Sequence, residues 1–111
     1  MPEIPEETKN LIVQFQNYQQ QLQSIVIQKE SLKMQNLEID RALEELNSTN
    51  QKNAYKIAGQ IMISKTVEEL KKELSETKEN IDVRVKSLEK NEERVNNKLK
   101  DLQTRLKEVI K

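Results

Sequence analysis

The sequence predicts a mainly α-helical fold, in which two long antiparallel helices form a coiled coil and one β-hairpin joins them. Apolar residues recur at alternating steps of three and four in two long segments, which is the signature of coiled-coil helices. A short stretch of β-branched residues lies between these segments, around the only glycine of the chain. With two tyrosines, one phenylalanine and no tryptophan in 111 residues, the chain cannot anchor a wide globular core, so it must bury narrow apolar seams instead.

The first helix is predicted over about residues 6–49. Nine of the eleven positions along its seam are apolar or aromatic, over about five heptads. The seam consists of Leu11, Phe15, Tyr18, Leu22, Ile25, Lys29, Leu32, Asn36, Ile39, Leu43 and Leu46. Lys29 and Asn36 interrupt it near the middle. Polar residues at such positions either fix the register of the pair or mark a wetter, more widely separated part of it, and the sequence leaves both interpretations open.

The second helix is predicted over about residues 66–110. It opens with a capping-box pattern, in which Thr66 and Glu69 would each satisfy a backbone donor of the other. Its seam consists of Val67, Leu70, Leu74, Thr77, Ile81, Val85, Leu88, Glu92, Val95, Leu99, Leu102, Leu106 and Val109. The two consecutive four-residue steps that start at Thr77 predict a local unwinding of the supercoil. At a rise of about 1.5 Å per residue the two seams span roughly 54 and 64 Å, and these similar lengths favour an antiparallel pair within one chain over parallel homodimers.

The connection between the helices is predicted to be a hairpin over about residues 54–64. A polar run at 47–53 ends the first helix, and Ala58-Gly59 is placed as a two-residue turn. An isolated two-stranded hairpin is marginally stable in water, and this one would expose apolar residues on open strand edges. We therefore expect it to pair with hairpins of other subunits. The alternative is a loop folded over the helix ends.

The composition argues against several classes of function. Nineteen basic and nineteen acidic side chains leave no basic excess for nucleic-acid binding. The chain has no histidine and no cysteine, so the commonest general base is missing and any metal site would need oxygen ligands alone. We expect no enzyme activity, no cofactor and no metal. Without an apolar run long enough to span a membrane or an N-terminal signal peptide, we expect a cytoplasmic protein.

Three stretches of the sequence are similar to one known family. They are Gln14–Gln23, the hairpin segment Tyr55–Ile63, and Leu88–Val95 with the following Lys98–Gln103. The Gln-rich first helix, together with Tyr-Lys before a glycine and then an apolar strand, is the most specific part of this pattern. In order and spacing the chain resembles the prefoldin family, and within it the β-type subunits of archaea, over nearly its whole length. The resemblance implies a single domain over residues 1–111.

The resemblance also implies how such a chain assembles and acts. In this family the hairpins of six subunits form a β-barrel, and two α-type subunits combine with four of the β type. The residues implied in subunit assembly are Tyr55, Ile57, Gly59, Ile61, Met62 and Ile63. The implied activity is ATP-independent capture of unfolded polypeptides at the tips of the coiled coils, followed by their transfer to a group II chaperonin.

The tips correspond to the two chain termini, where the sequence itself carries surplus apolar residues. Ile4, Ile12 and Val13 lie off the seam of the first helix, and Ile110 lies beside that of the second. Apolar groups that a helix pair cannot cover usually mark an interaction site. The predicted client-binding residues are Ile4, Leu11, Ile12, Val13, Leu106, Val109 and Ile110. The alternative is an end cap that only completes the coiled coil.

A second off-seam set lies midway along the first helix. It could face a shared cavity and touch large clients, but the expected role is to widen the seam. It consists of Val26, Ile27, Met34 and Leu37. The main rival function is a structural or adaptor coiled coil without chaperone activity, which has no need of a self-pairing hairpin. A nucleic-acid-binding helical arm would need a basic stripe, which the balanced charge of the second helix does not supply.

Overall fold

The computed structural model describes residues 4–110, together with the side chains of residues 4–109. It contains α1 (Glu6–Ser48), β1 (Asn53–Ala58), β2 (Ile61–Thr66) and α2 (Val67–Ile110), in that order. The strands are antiparallel neighbours in one two-stranded sheet. The predicted fold class, two long helices joined by an antiparallel hairpin, is therefore confirmed. No helix among the described residues is long and apolar enough to cross a membrane.

The ends of α1 follow from local sequence. At its start the Lys9 N–H donates to the Pro5 carbonyl at 3.1 Å, and Glu6 and Glu7 place negative charge at the positive end of the helix dipole. At its other end the Glu45 carbonyl accepts hydrogen bonds from the Thr49 N–H at 3.1 Å and from the Ser48 hydroxyl at 3.2 Å. These bonds satisfy the Glu45 carbonyl, which the last turn would otherwise leave unpaired, so the helix ends inside the polar run.

The start of α2 is fixed by a cap and by the preceding loop. The Glu69 N–H donates to Thr66 Oγ1 at 3.1 Å, which is the threonine half of the predicted capping box. The Val67 N–H donates to the Lys52 carbonyl at 2.8 Å. This second bond ties the loop before β1 to the first residue of α2, so the hairpin leaves and re-enters the helix pair at one place.

The turn of the hairpin lies one residue later than predicted. Ala58 pairs with Ile61 across the strands, so Gly59 and Gln60 form the two-residue turn and the Ala58-Gly59 prediction is wrong. Gly59 has φ of +62°, whereas no described non-glycine residue has a positive φ. A turn with positive φ at its first central residue only is of type II′, which calls for glycine at that position.

Contacts divide the described chain into two units, each built from both helices. The first comprises residues up to Glu30 and from Lys86 onward, and the second comprises Ser31–Val85. In the first unit Val95 and Leu102 form the buried apolar core. In the second the buried apolar residues are Leu32, Val67, Leu70 and Ile81.

Contacts between the helices show that they run antiparallel in each unit. In the first unit Lys29 contacts Glu92, whereas Leu11, earlier in α1, shares a groove with Val109, later in α2. In the second Asn36 donates to Asp82 at 2.7 Å, and Lys78 pairs with Asp40. Residues later in α1 thus meet residues earlier in α2, which is the predicted intrachain pairing.

One seam position in α2 differs from the prediction. Thr77 is exposed, and its hydroxyl donates to the Glu73 carbonyl one turn earlier at 3.0 Å. Lys78 is half-buried in its place and reaches Asp40. A lysine can cover apolar surface with its alkyl stem while its ammonium stays near solvent. The two consecutive four-residue steps therefore begin at Leu70 rather than at Thr77.

Candidate functional site

An open groove lies between the beginning of α1 and the end of α2. Apolar contributions come from Leu11 and Val109, and polar ones from Gln14 and Arg105. The remaining lining residues are Glu7, Asn10 and Glu108. We call this feature the terminal groove. It is formed because the first turns of α1 and the last turns of α2 carry apolar residues that their own pairing covers only in part.

The structure brings together some of the predicted client-binding residues and not others. Leu11 and Val109 line the terminal groove. Ile12 and Leu106 are half-buried, whereas Ile4 and Val13 are exposed without lining it. The side chain of Ile110 lies outside the described residues.

Thr8 is a buried residue that the sequence analysis missed at this end of the chain. It lies three residues before Leu11, so the heptad spacing of the α1 seam extends back to it. Continuing the same spacing by four residues reaches Ile4, which the sequence analysis placed off the seam. Ile4 is nevertheless exposed, because it precedes the first residue of the helix.

The hairpin has one apolar face that is left uncovered by the residues the structure describes. Residues that pair across antiparallel strands project to the same side of the sheet. The pairs Ile57–Met62 and Tyr55–Ser64 therefore share one face, and Tyr55, Ile57 and Met62 are all exposed, Ile57 at 72%. We call these three residues the hairpin face. Ile61 and Ile63 belong to the opposite side and are also exposed.

The opposite side of the hairpin is held against α2 by a charged cluster that the sequence analysis did not predict. Lys56 on β1 and Lys65 on β2 both reach the carboxylate of Glu73 on α2. The Lys56 Nζ lies 3.5 Å from Oε2, and Lys65 binds Oε1. Hydrogen bonding to Lys65 is the main reason that the pKa of Glu73 is lowered, and Lys56 adds to it. We call these residues the Glu73 clamp. Because it occupies one side of the hairpin, the hairpin face points away from α2.

The root of the hairpin adjoins a second, mainly apolar groove. Leu46 from α1, Ala54 and Tyr55 from β1, and Leu70 and Leu74 from α2 contribute to its lining. Ala54 is too small to fill this space. The groove is therefore available to larger side chains at position 54 or from another chain.

The off-seam residues midway along α1 do not widen the seam. Val26, Ile27, Met34 and Leu37 are all exposed, Ile27 at 69%. Ile27 and Met34 are seven residues apart and lie on the outer side of the helix, since the seam residues Lys29, Leu32 and Asn36 take the inner side. The expectation that these residues join the intramolecular seam is wrong.

The described residues offer little to a metal ion, because among residues 4–110 no three acidic side chains form a group that could hold one. Both candidate surfaces instead combine exposed apolar side chains with a few charged neighbours. Such surfaces bind other polypeptides by burying area rather than by directed chemistry.

Comparison with known proteins agrees with this architecture. A family model for the prefoldin subunit matches residues 9–111. The prefoldin subunit beta of Archaeoglobus fulgidus is 32% identical over 111 residues, which cover 99% of this chain and 96% of that relative. The prefoldin subunit beta of Thermococcus kodakarensis is 32% identical over 112 residues, which cover 100% of this chain and 96% of that relative.

A solved structure is similar over the same extent. The crystal structure of the prefoldin beta subunit from Thermococcus strain KS-1 matches with a TM-score of 0.85 and 33% sequence identity. The match covers 97% of this chain and 96% of that one. Since both helices and the hairpin lie within these matched lengths, the chain belongs to the prefoldin family of chaperone subunits.

Proposed function

We propose that this chain is a β-type prefoldin subunit that holds unfolded polypeptides at its terminal groove without using ATP. The observation that carries the proposal is the groove itself, in which the half-buried Leu11 and the exposed Val109 remain accessible. Folded proteins bury most of their large apolar side chains, whereas unfolded chains expose them. A partly apolar groove therefore distinguishes unfolded clients from folded ones.

The chemistry of the groove suits clients that share no sequence. Burial of apolar area is non-directional and is worth roughly 25 cal/mol per Å². Charged residues at the rim, among them Glu7, Arg105 and Glu108, keep the groove hydrated when it is empty. Binding of this kind is broad in specificity and individually weak, so several arms of one assembly acting on one client would add avidity.

The hairpin supports a separate role in assembly. Both strands have an unpaired edge, and the hairpin face exposes Tyr55, Ile57 and Met62. A closed barrel removes strand edges altogether. We infer that Tyr55, Ile57, Ile61, Met62 and Ile63 pack against hairpins of other subunits, in a hexamer of two α-type and four β-type chains. Gly59 acts there through its turn rather than by contact.

Two further parts of the proposal rest on family membership alone. Transfer of clients to a group II chaperonin would place this subunit upstream of an ATP-driven folding machine. A cytoplasmic location would follow from that partnership. Each can be tested with the assembled complex, by client transfer in the presence of chaperonin and by localisation of the tagged subunit.

The experiment that tests the proposal changes the terminal groove and leaves the hairpin intact. A Leu11→Ser/Val109→Ser variant is assembled with an α-type subunit, and aggregation of a denatured client is followed without ATP. We expect suppression to fall while the native mass of the complex is unchanged. Val83→Ser is the matched control, since Val83 is exposed on α2 outside the groove. Full suppression by the double variant would refute the assignment.

The adaptor function is distinguished by native mass. A chain that forms only dimers, and does not join an α-type subunit, would support a structural coiled coil instead. Ile57→Asp tests the hairpin independently. An aspartate at this position would be exposed in the free chain, but in the barrel it would be buried without a partner. We expect this variant to fail to assemble, and a full-sized complex would contradict the assembly surface.

A further inference from the structure

Two charged residues meet where each helix seam is interrupted. Lys29 of α1 and Glu92 of α2 occupy seam positions, and the Lys29 Nζ lies 2.8 Å from the Glu92 Oε2. Their side chains are only 14% and 25% exposed. Apolar residues precede and follow both of them along the seams, including the fully buried Val95 three residues after Glu92. The pair is therefore part of the apolar interface and not a surface ion pair.

The local charges favour the ionised form of Lys29. Hydrogen bonding to Glu92 is the main reason that the pKa of Lys29 is raised, while burial opposes the rise. The nearby carboxylates of Glu89 and Glu30 act in the same direction as Glu92. Lys29 therefore stays charged inside the seam at neutral pH, and Glu92 supplies its counter-charge.

Stability alone does not account for such a pair. Removing two charges from water carries a desolvation cost that their attraction often only balances, and replacement by apolar residues of similar size is often neutral or stabilising. Two leucines would continue both seams without this cost. The pair therefore calls for another explanation, and specificity of helix pairing is the best-attested one.

The competing pairings show what the ion pair discriminates against. If α1 packed in parallel on α1 of a second copy, Lys29 would face Lys29. If α2 packed in parallel on α2, Glu92 would face Glu92. Each arrangement buries like charges in the seam. The leucine, isoleucine and valine residues elsewhere in the seams discriminate weakly, because they pack acceptably in either orientation.

We propose that Lys29 and Glu92 are specificity-determining residues that make α1 pair with α2 of the same chain rather than with α1 of a second copy. This inference does not depend on the proposed chaperone activity. It assigns Lys29 and Glu92 one joint role. In that role the cost of the wrong helix pairings matters more than the stability of the native pair.

The test uses the full-length chain with one engineered cysteine. The chain has no native cysteine, so Leu22→Cys provides a single reporter. Leu22 lies seven residues before Lys29 and occupies the same heptad position, so parallel α1 self-pairing brings two such cysteines together. Disulfide-linked dimer is measured under oxidising conditions, at one protein concentration, in three backgrounds: unchanged, Lys29→Leu/Glu92→Leu, and the charge swap Lys29→Glu/Glu92→Lys.

We expect the leucine background to raise the dimer fraction several-fold while its thermal stability is equal to or above that of the unchanged chain. The charge swap should keep the dimer fraction low, because it retains attraction within the chain and repulsion between like helices. A leucine background with no more dimer than the unchanged chain would overturn the proposal. So would a charge swap that dimerises as much as the leucine background. Neither variant creates an unpaired buried charge, so both are expected to fold.

Discussion

Val95 provides the sharpest test of the helix pairing, because it is 0% exposed. Every other described core residue is slightly more exposed. Val95→Ala removes two methyl groups, each worth about 0.8 kcal/mol on burial. A residual cavity adds to this loss. The better helix propensity of alanine returns about 0.5 kcal/mol. We expect the free energy of unfolding to fall by about 2 kcal/mol relative to the unchanged protein.

The same substitution elsewhere in α2 gives a matched control. Val83 is 67% exposed, so Val83→Ala removes little buried area and gains the same helix propensity. We expect its free energy of unfolding to stay within about 0.5 kcal/mol of the unchanged protein, or to rise slightly. Both variants are unfolded with urea, at one protein concentration, and followed by far-UV circular dichroism. Equal losses at the two positions would refute the assignment of Val95 to the seam.

Three further predictions concern the hairpin. Gly59→Ala should destabilise it by about 1–2 kcal/mol, because alanine is strained at positive φ although the space around the turn is open. Gln60→Ala is the control, and thermal unfolding measures the stability of both variants. Ala54→Val should stabilise the protein by about 0.5–1 kcal/mol by filling the groove at the hairpin root, and a lower melting temperature would contradict this. Glu73→Gln should lower the melting temperature at neutral pH. Since the pKa of Glu73 is lowered, its contribution is full above the ordinary carboxyl pKa and is lost as pH falls through the lowered value. The difference between Glu73→Gln and the unchanged protein should therefore vanish in acid, and a difference that persists there would contradict the clamp.

The architecture was accessible from the sequence because heptad spacing is a local signal. A narrow stripe of apolar residues predicts where each helix is buried, and Leu32, Ile81 and Leu102 are buried as that stripe requires. The hairpin was also accessible, since one glycine among β-branched residues marks a turn. Its exact pairing was not, because Ala58-Gly59 and Gly59-Gln60 are both two-residue segments that contain the glycine. A type II′ turn requires positive φ at its first central residue, which favours glycine at that position, and this requirement decides between the two segments.

Contacts between distant residues could not be predicted in the same way. Lys29 and Glu92 were each visible as an interruption of a seam, but their meeting depends on the relative register of two helices. The Glu73 clamp similarly depends on which side of the hairpin turns towards α2. At Thr77 the spacing allowed either the threonine or the next residue in the seam, and the back-bonding of the hydroxyl to the Glu73 carbonyl keeps the threonine outside.

The client-binding site was predicted from apolar residues that lie outside the helix seams, and not from a sequence motif. That reasoning singled out the off-seam residues Ile4, Ile12 and Val13, none of which lines the terminal groove. The groove is lined instead by Leu11 and Val109, which are seam residues at the helix ends. The same reasoning failed for Ile27 and Met34, where an intramolecular role was expected and the side chains are exposed. Off-seam apolar residues show that surface remains uncovered, but they do not show what covers it.

Site-specific photocrosslinking tests the central claim, that unfolded polypeptides bind at the terminal groove, most directly. A photoreactive amino acid is placed at Val109, in the groove, or at Val83, which is exposed on the same helix outside it. Complexes with an α-type subunit are irradiated with a denatured client in the absence of ATP. We expect strong client crosslinks from Val109 and few from Val83. Equal crosslinking at the two positions, or none at Val109, would rule out binding at the terminal groove.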